Sequence, residues 1–366
     1  MKLGQKDYAK ALRVFGNTVT LNVIIGILFS TISLLLLDPI LYFFGASDQT
    51  ISYAREYMII ILLGNVITHL YFGMNAVLRA ASKPRQAMYT TIFTVVLNSI
   101  LDPLFIYTFD MGIRGAAIAT ILSQTVALVW QIRLFSDKGE LLHLKRGIYR
   151  LDNRIVKNIL GIGISPFAMN ATACLVAIFV NQRLLEYGGD LAVGAFGIAN
   201  RVAFIFIMIN FGVNQGMQPI AGYNYGAQNY DRLMRVLKLA MIAGTCITTS
   251  GFLVAEFIPH ICVRLFTSDS ELTELSVNGL RIMMAAMPIV GYQMIVTNFF
   301  QSIGKAKISI FLSLSRQLLF LVPLIGVMPL FFGVNGVWVA MPISDSFSAI
   351  FALVMMVRYM RVFKKR

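Results

Sequence analysis

Charge is scarce in this chain, and negative charge is scarcest. Only 13% of the 366 residues are charged, and 17 carboxylates stand against 31 lysines and arginines. Soluble globular domains carry about 25% charged residues, so that class is excluded. There are only three cysteines, Cys174, Cys246 and Cys262, and three histidines, His69, His143 and His260. Neither set has the spacing of a metal site or a disulfide framework. No nucleophile–base pairing, phosphate-binding loop or metal cluster is present, so neither enzyme chemistry nor a cofactor is expected. No signal-peptide cleavage pattern follows the N-terminal MKLGQKDYAKALRVFG.

What is present is apolar. Hydrophobic residues make up 57% of the chain, and the mean hydropathy is +0.74. These values describe an all-α integral membrane protein surrounded by lipid. Ten apolar runs are each long enough to span a bilayer at about 20 residues. They cover residues 14–37, 57–78, 87–109, 115–135, 155–181, 192–218, 237–257, 280–301, 308–332 and 337–357. The longest polar connection, SDKGELLHLKRGIYRLDNR at 136–154, reads as a linker between lobes at 1–135 and 155–366.

The net charge of +14 raises the question of nucleic acid. The basic residues fall in short loops between apolar runs, however, so no nucleic-acid partner is expected. With the N-terminus inside, 24 of the 31 basic residues fall on the inner side and five, Arg55, Arg114, Arg183, Arg264 and Arg281, on the outer. The positive-inside rule then places both termini in the cytoplasm and the protein in the cell inner (plasma) membrane.

The chain repeats itself. Gly4-Gln5-Lys6-Asp7-Tyr8 resembles Gly226-Ala227-Gln228-Asn229-Tyr230, and Ser82-Lys83 aligns with Gly304-Lys305. Gly112-Ile113-Arg114-Gly115 resembles Gly333-Val334-Asn335-Gly336. The offset is 221 or 222 residues throughout. The first four runs therefore correspond to the last four in the same orientation, as in many transporters. Residues 151–225 have no earlier counterpart, so the repeat predicts two further helices ahead of residue 1 and a six-plus-six whole.

Within 78–124 an aspartate sits among residues suited to lipid. Asp102 lies four residues after Asn98, so both project from one helix face. Thr94 and Thr91 extend the polar stripe, and Pro103 loosens the helix beside it. Asp102 is seven residues from the end of its run, roughly 10 Å deep. Intramembrane carboxylates face protein or water and mark ion pathways; a local helix-end cap is the plainer alternative. Arg201, Arg316 and Asp345 lie near the middle of three later runs. They suggest a C-lobe ion-paired cluster, either structural or open to cationic substrate. Met283, Met284, Met287 and Met294 crowd one run and suit packing.

Several segments together resemble the multidrug and toxic compound extrusion (MATE) family of the MOP superfamily. They are LRAASKPRQAM, VLNSILDPLFI, GIRGAAIAT, GIANR, QPIAGYNYGAQNY, FFQSIGKAKIS, LSRQ and the late ISD. The resemblance covers essentially the whole chain. It implies two six-helix lobes, with the first two helices absent here. It also implies export of amphipathic, mostly cationic compounds in exchange for H⁺ or Na⁺. One branch of the family has an N-lobe cation site whose Asn, Asp and Thr match Asn98, Asp102 and Thr120. That site also uses an aspartate on a first helix this chain does not have. A second branch uses C-lobe acids on helices that carry no carboxylate here. The expected partners are small drug-like molecules and membrane lipid, with the protein a monomer. A lipid-linked precursor flippase, or an inactive remnant or partner subunit, is the alternative.

Overall fold

The computed structural model describes residues 1–44 and 46–363, and every regular element among them is helical. Lys364, Lys365 and Arg366 of the basic C-terminus lie outside the described residues. The helices are α1 (Tyr8–Leu35), α2 (Leu37–Phe43), α3 (Ile51–Ala80), α4 (Pro84–Pro103), α5 (Gly112–Ser136), α6 (Asn153–Gly226) and α7 (Tyr230–Phe257). They continue with α8 (Pro259–Arg264), α9 (Ser270–Met284), α10 (Met287–Ser302), α11 (Ala306–Leu314), α12 (Val322–Phe332) and α13 (Val334–Phe363). Short π-helical turns, Leu104–Thr108 and Ser315–Leu321, follow α4 and α11.

Eight of these stretches are long and apolar enough to cross a membrane, and α9 with α10 forms a ninth, bent by 50°. α6 runs for 74 residues, roughly 110 Å at 1.5 Å per residue, against a hydrocarbon core of about 30 Å. It is two helices. Gly189 has φ 64° and ψ −167°, a conformation outside any helix and open to glycine without a Cβ clash. Counting both arms gives the ten spans the apolar runs predict. The helices overrun those runs because their polar first turns, such as Tyr230-Asp231-Arg232, are helical too.

The repeat is written in the backbone. Lys6 and Gln228 both adopt positive φ, 57° and 58°. The next residues, Asp7 and Asn229, both cap a helix, accepting the N–H groups of Lys10 and Arg232. Ser82 and Gly304 end α3 and α10 at φ 64° and 77°. At each corner the next residue, Lys83 or Lys305, donates its N–H five residues back, to Leu78 O or Phe300 O. That is the Schellman arrangement, in which the left-handed residue is usually glycine. Serine there is strained, so Ser82→Gly should stabilise the protein by about 1 kcal/mol. Thermal unfolding in detergent tests this, and an unchanged or lower midpoint would refute it.

The chain divides into two compact units, Lys2–Ile159 and Leu160–Arg366, with Met1 grouped in the second. In the first, α3 packs on α1, α4 and α5 around Phe15, Tyr71, Met74, Leu78 and Phe135. Residues 136–154 join this unit, because Leu142 and Ile148 enter the same core. Asn17 of α1 holds them. Its Nδ2 donates to Arg150 O at 3.1 Å, and its Oδ1 accepts the Asp152 N–H at 2.9 Å. Asn17 is fully buried, so Asn17→Ala leaves backbone groups unpaired, a loss of about 1–3 kcal/mol. Tryptic cleavage after Lys145, Arg146 or Arg150 should then quicken several-fold; unchanged cleavage would overturn this.

In the second unit α10 packs on α7 and α13. Its core holds Leu184, Leu280, Met284 and Trp338, with a second cluster around Phe299 and Phe300. Ser165 of α6 bonds Ser309 of α11 at 3.0 Å, deep in the unit. The α7–α10 crossing is tight. A Cβ on Gly291 would lie 2.3 Å from Thr248 Oγ1 and 2.5 Å from Gly244 O.

Candidate functional site

α4 positions the polar stripe. Pro84 opens the helix, where its missing N–H leaves nothing unpaired. Pro103 removes the donor that would reach back one turn, and the next turn widens. There Phe109 N–H reaches Leu104 O at 3.0 Å, and Met111 N–H reaches Phe105 O at 3.1 Å. α5 starts directly against this turn. A Cβ on Gly115 would lie 2.8 Å from the Phe105 carbonyl carbon and oxygen. The loosened end of α4 is thus clamped by the glycine-bearing start of α5.

Just before that turn, Asn98 Nδ2 donates to Asp102 Oδ1 at 3.0 Å. Both residues are half-buried. Thr120, also half-buried, sits on the neighbouring helix α5 and donates its hydroxyl to Ala116 O at 3.0 Å. The structure thus joins Asn98 to Asp102 directly. Among the described residues, no hydrogen bond links Thr120 to either. Nor does any lysine, arginine or histidine among them pair with Asp102. By contrast, Asp38 and Glu56 each pair with an arginine: Arg55 donates to Asp38 at 3.0 and 2.8 Å, and Arg114 to Glu56 at 2.8 Å. An unpaired carboxylate with one amide donor leaves its second oxygen free for a proton or a small cation.

The rest of the stripe serves another node. Asn75 of α3, buried, donates to Ala87 O at 2.9 Å, Thr90 Oγ1 at 3.2 Å and Thr91 Oγ1 at 3.1 Å. Arg79 donates to Asn75 Oδ1, and Gln131 of α5 donates to Thr90 at 3.3 Å. This knot ties α3, α4 and α5 together. Sequence reading missed it because Asn75 and Gln131 are uncharged and barely lower the hydropathy of their runs. The signal was available in the four-residue spacing of Asn75 and Arg79. Thr94 is buried and donates to Thr90 O at 2.8 Å, so it belongs to the helix rather than to Asp102.

In the second unit only part of the expected cluster forms. Arg316 Nη1 lies 3.3 Å from Asp345 Oδ1. Arg201 is exposed, and among the described residues it makes no ion pair. It shares a depth with the other two but not a face. A separate apolar cavity of about 360 Å³ opens where the α9–α10 bend, Ala285 and Ala286, meets Pro342 and Ile343 of α13. It contains no charged side chain.

A repeated pattern of apolar spans, with a half-buried carboxylate, Asp102, that has no basic partner among the described residues, is the pattern of a multi-pass membrane transporter. The MatE family model matches this chain twice, over residues 1–104 and 164–325. The chain belongs to that family, the MATE transporters, and so to transport proteins rather than enzymes. The multidrug export protein MepA of Staphylococcus aureus is 26% identical over 351 residues, 96% of this chain and 77% of the relative. A structure of the MATE multidrug transporter DinF-BH in a ligand complex is 35% identical, with a TM-score of 0.90 over 99% of this chain and 81% of that one. An outward-facing MATE multidrug resistance transporter, 24% identical with a TM-score of 0.92, shares the fold over 100% of this chain and 82% of its own.

Proposed function

We propose that this chain exports amphipathic, mostly cationic drugs or toxic compounds in exchange for H⁺ or Na⁺, coupled at Asp102 with Asn98 and Thr120. The observation carrying this reading is the half-buried Asp102, bonded to Asn98 at 3.0 Å and with no basic partner among the described residues. A carboxylate in an apolar bundle requires a counter-cation or a proton, because leaving it ionised and alone is costly. A site without a resident guanidinium or ammonium takes that cation from solution and can return it. The relatives' description as multidrug exporters supports the same reading. On this reading the protein is a monomer of the cell inner membrane; the 24 inner basic residues support the cytoplasmic placement of both termini.

Ethidium efflux in cells lacking other pumps tests the proposal. The chain would be expressed as it stands and also joined to the first two helices of a relative. Efflux that collapses when the H⁺ and Na⁺ gradients are both dissipated supports exchange. Efflux that survives their loss overturns it.

A further inference from the structure

The two units handle intramembrane charge in opposite ways on matching helices. α4 and α11 begin at Pro84 and Ala306, 222 residues apart, and each runs into a π-helical turn. Asp102 lies just before the first turn, and Arg316 lies inside the second. The acid has no basic partner among the described residues, whereas the base sits 3.3 Å from Asp345 Oδ1. Asp345 is also singular. The other described carboxylates of the second unit, such as Glu186, Asp231, Glu256 and Glu271, lie near helix ends or beside the Gly189 break. Asp345 alone stands mid-span, on α13.

The pair is gripped at both ends of the arginine. Its guanidinium meets Asp345, and its backbone carbonyl accepts Ser344 Oγ at 2.6 Å. Neighbouring residues on α13 therefore hold the head and the backbone of Arg316. The titratable groups on the elements packed on α13 include Glu271, Glu274 and Arg281 of α9, Tyr292 of α10 and Lys307 of α11. α6, whose Phe196 meets Trp338 of α13, adds Arg183, Glu186, Tyr187, Asp190 and Arg201. Among the described residues none of them bonds to Asp345 or Arg316.

We propose that Arg316 is a tethered cation filling a second, latent site for a proton or small monovalent cation at Asp345. A charge tethered in place competes at a high effective concentration with any ion arriving from solution. The second unit's carboxylate is therefore closed to exchange. The latent site itself does not depend on Asp102 being the coupling residue.

Infrared difference spectra of the purified full chain, with sodium as the added ion, test this. Asp345→Asn should remove one ionised carboxylate band per chain and no protonated one. Arg316→Gln should add one protonated carboxyl per chain at neutral pH, discharged by sodium and missing from the Arg316→Gln/Asp345→Asn double variant. Arg316→Lys, which keeps a tethered charge, should add none. The same gains are expected in an Asp102→Asn background, which separates this result from the coupling reading. The proposal falls if Asp345→Asn removes a protonated carboxyl, or if Arg316→Gln adds neither a protonated group nor a bound sodium. Should Arg316→Gln fail to fold, the Asp345→Asn spectrum decides alone.

Discussion

Asp102→Asn is expected to abolish drug efflux while leaving expression and folding intact. The substitution is nearly isosteric. The new side-chain oxygen can still accept from Asn98 Nδ2, the 3.0 Å bond of the native site. Only the charge is lost, and with it the means of holding a proton or sodium. The charge has no basic partner among the described residues, so its removal leaves no arginine or lysine stranded. A fall of at least about tenfold in efflux corresponds to roughly 1.4 kcal/mol of coupling. Asn98→Ala should weaken efflux less, because it removes one donor and keeps the carboxylate. Thr120→Ala should weaken it least, since that hydroxyl already donates to Ala116 O. If Asp102→Asn pumps at the wild-type rate from about pH 6 to 8, a span that brackets the histidine range, Asp102 is structural.

The second large effect is expected at Gly291, far from any charge. Gly291→Ala should lower stability by about 1–3 kcal/mol, the usual cost of overpacking a tight interior. The new methyl would sit 2.3 Å from Thr248 Oγ1, 2.5 Å from Gly244 O and 2.8 Å from Gly244 C. Two of these are backbone atoms of the facing helix, and they cannot rotate away. Thr248 cannot easily move either, because it donates to Gly244 O at 2.9 Å. α7 and α10 must therefore separate, and with them the Phe299 and Phe300 cluster. Small residues at such crossings are what allow helices to approach in lipid. Thermal unfolding in detergent measures this, and a midpoint within error of wild type would sink it.

The fold was legible in the sequence where backbone and hydropathy speak directly. The repeat aligns Ser82 with Gly304 and Gly112 with Gly333, and all four adopt positive φ. Apolar length located the spans, and Gly189 stands between the two runs that the structure joins into α6. The bend between α9 and α10 was missed. Ala285 and Ala286 are good helix formers, but Pro288, at the start of α10, lacks the N–H that would reach back to Met284, and that signal was passed over inside the apolar run 280–301. At the candidate site the Asn98–Asp102 pair followed from spacing alone. Thr120 was matched through family resemblance, and the structure places it on the adjacent helix without a bond to the pair. The Arg201 part of the expected cluster failed because equal depth does not fix which way a helix face turns.

The Ser82 corner has a consequence for motion. The first unit turns from α3 into α4 on a strained serine, and the second makes the same turn on a glycine. A difference of about 1 kcal/mol makes the serine corner open roughly fivefold more often than its counterpart. Lys83, bridged to Glu140 of the 136–154 segment, is the latch on that opening. α4 begins one residue later and carries Asp102 at its far end. Amide hydrogen exchange should therefore be faster around Ser82 than around Gly304, and the helix bearing the lone carboxylate is the one hung from the looser hinge.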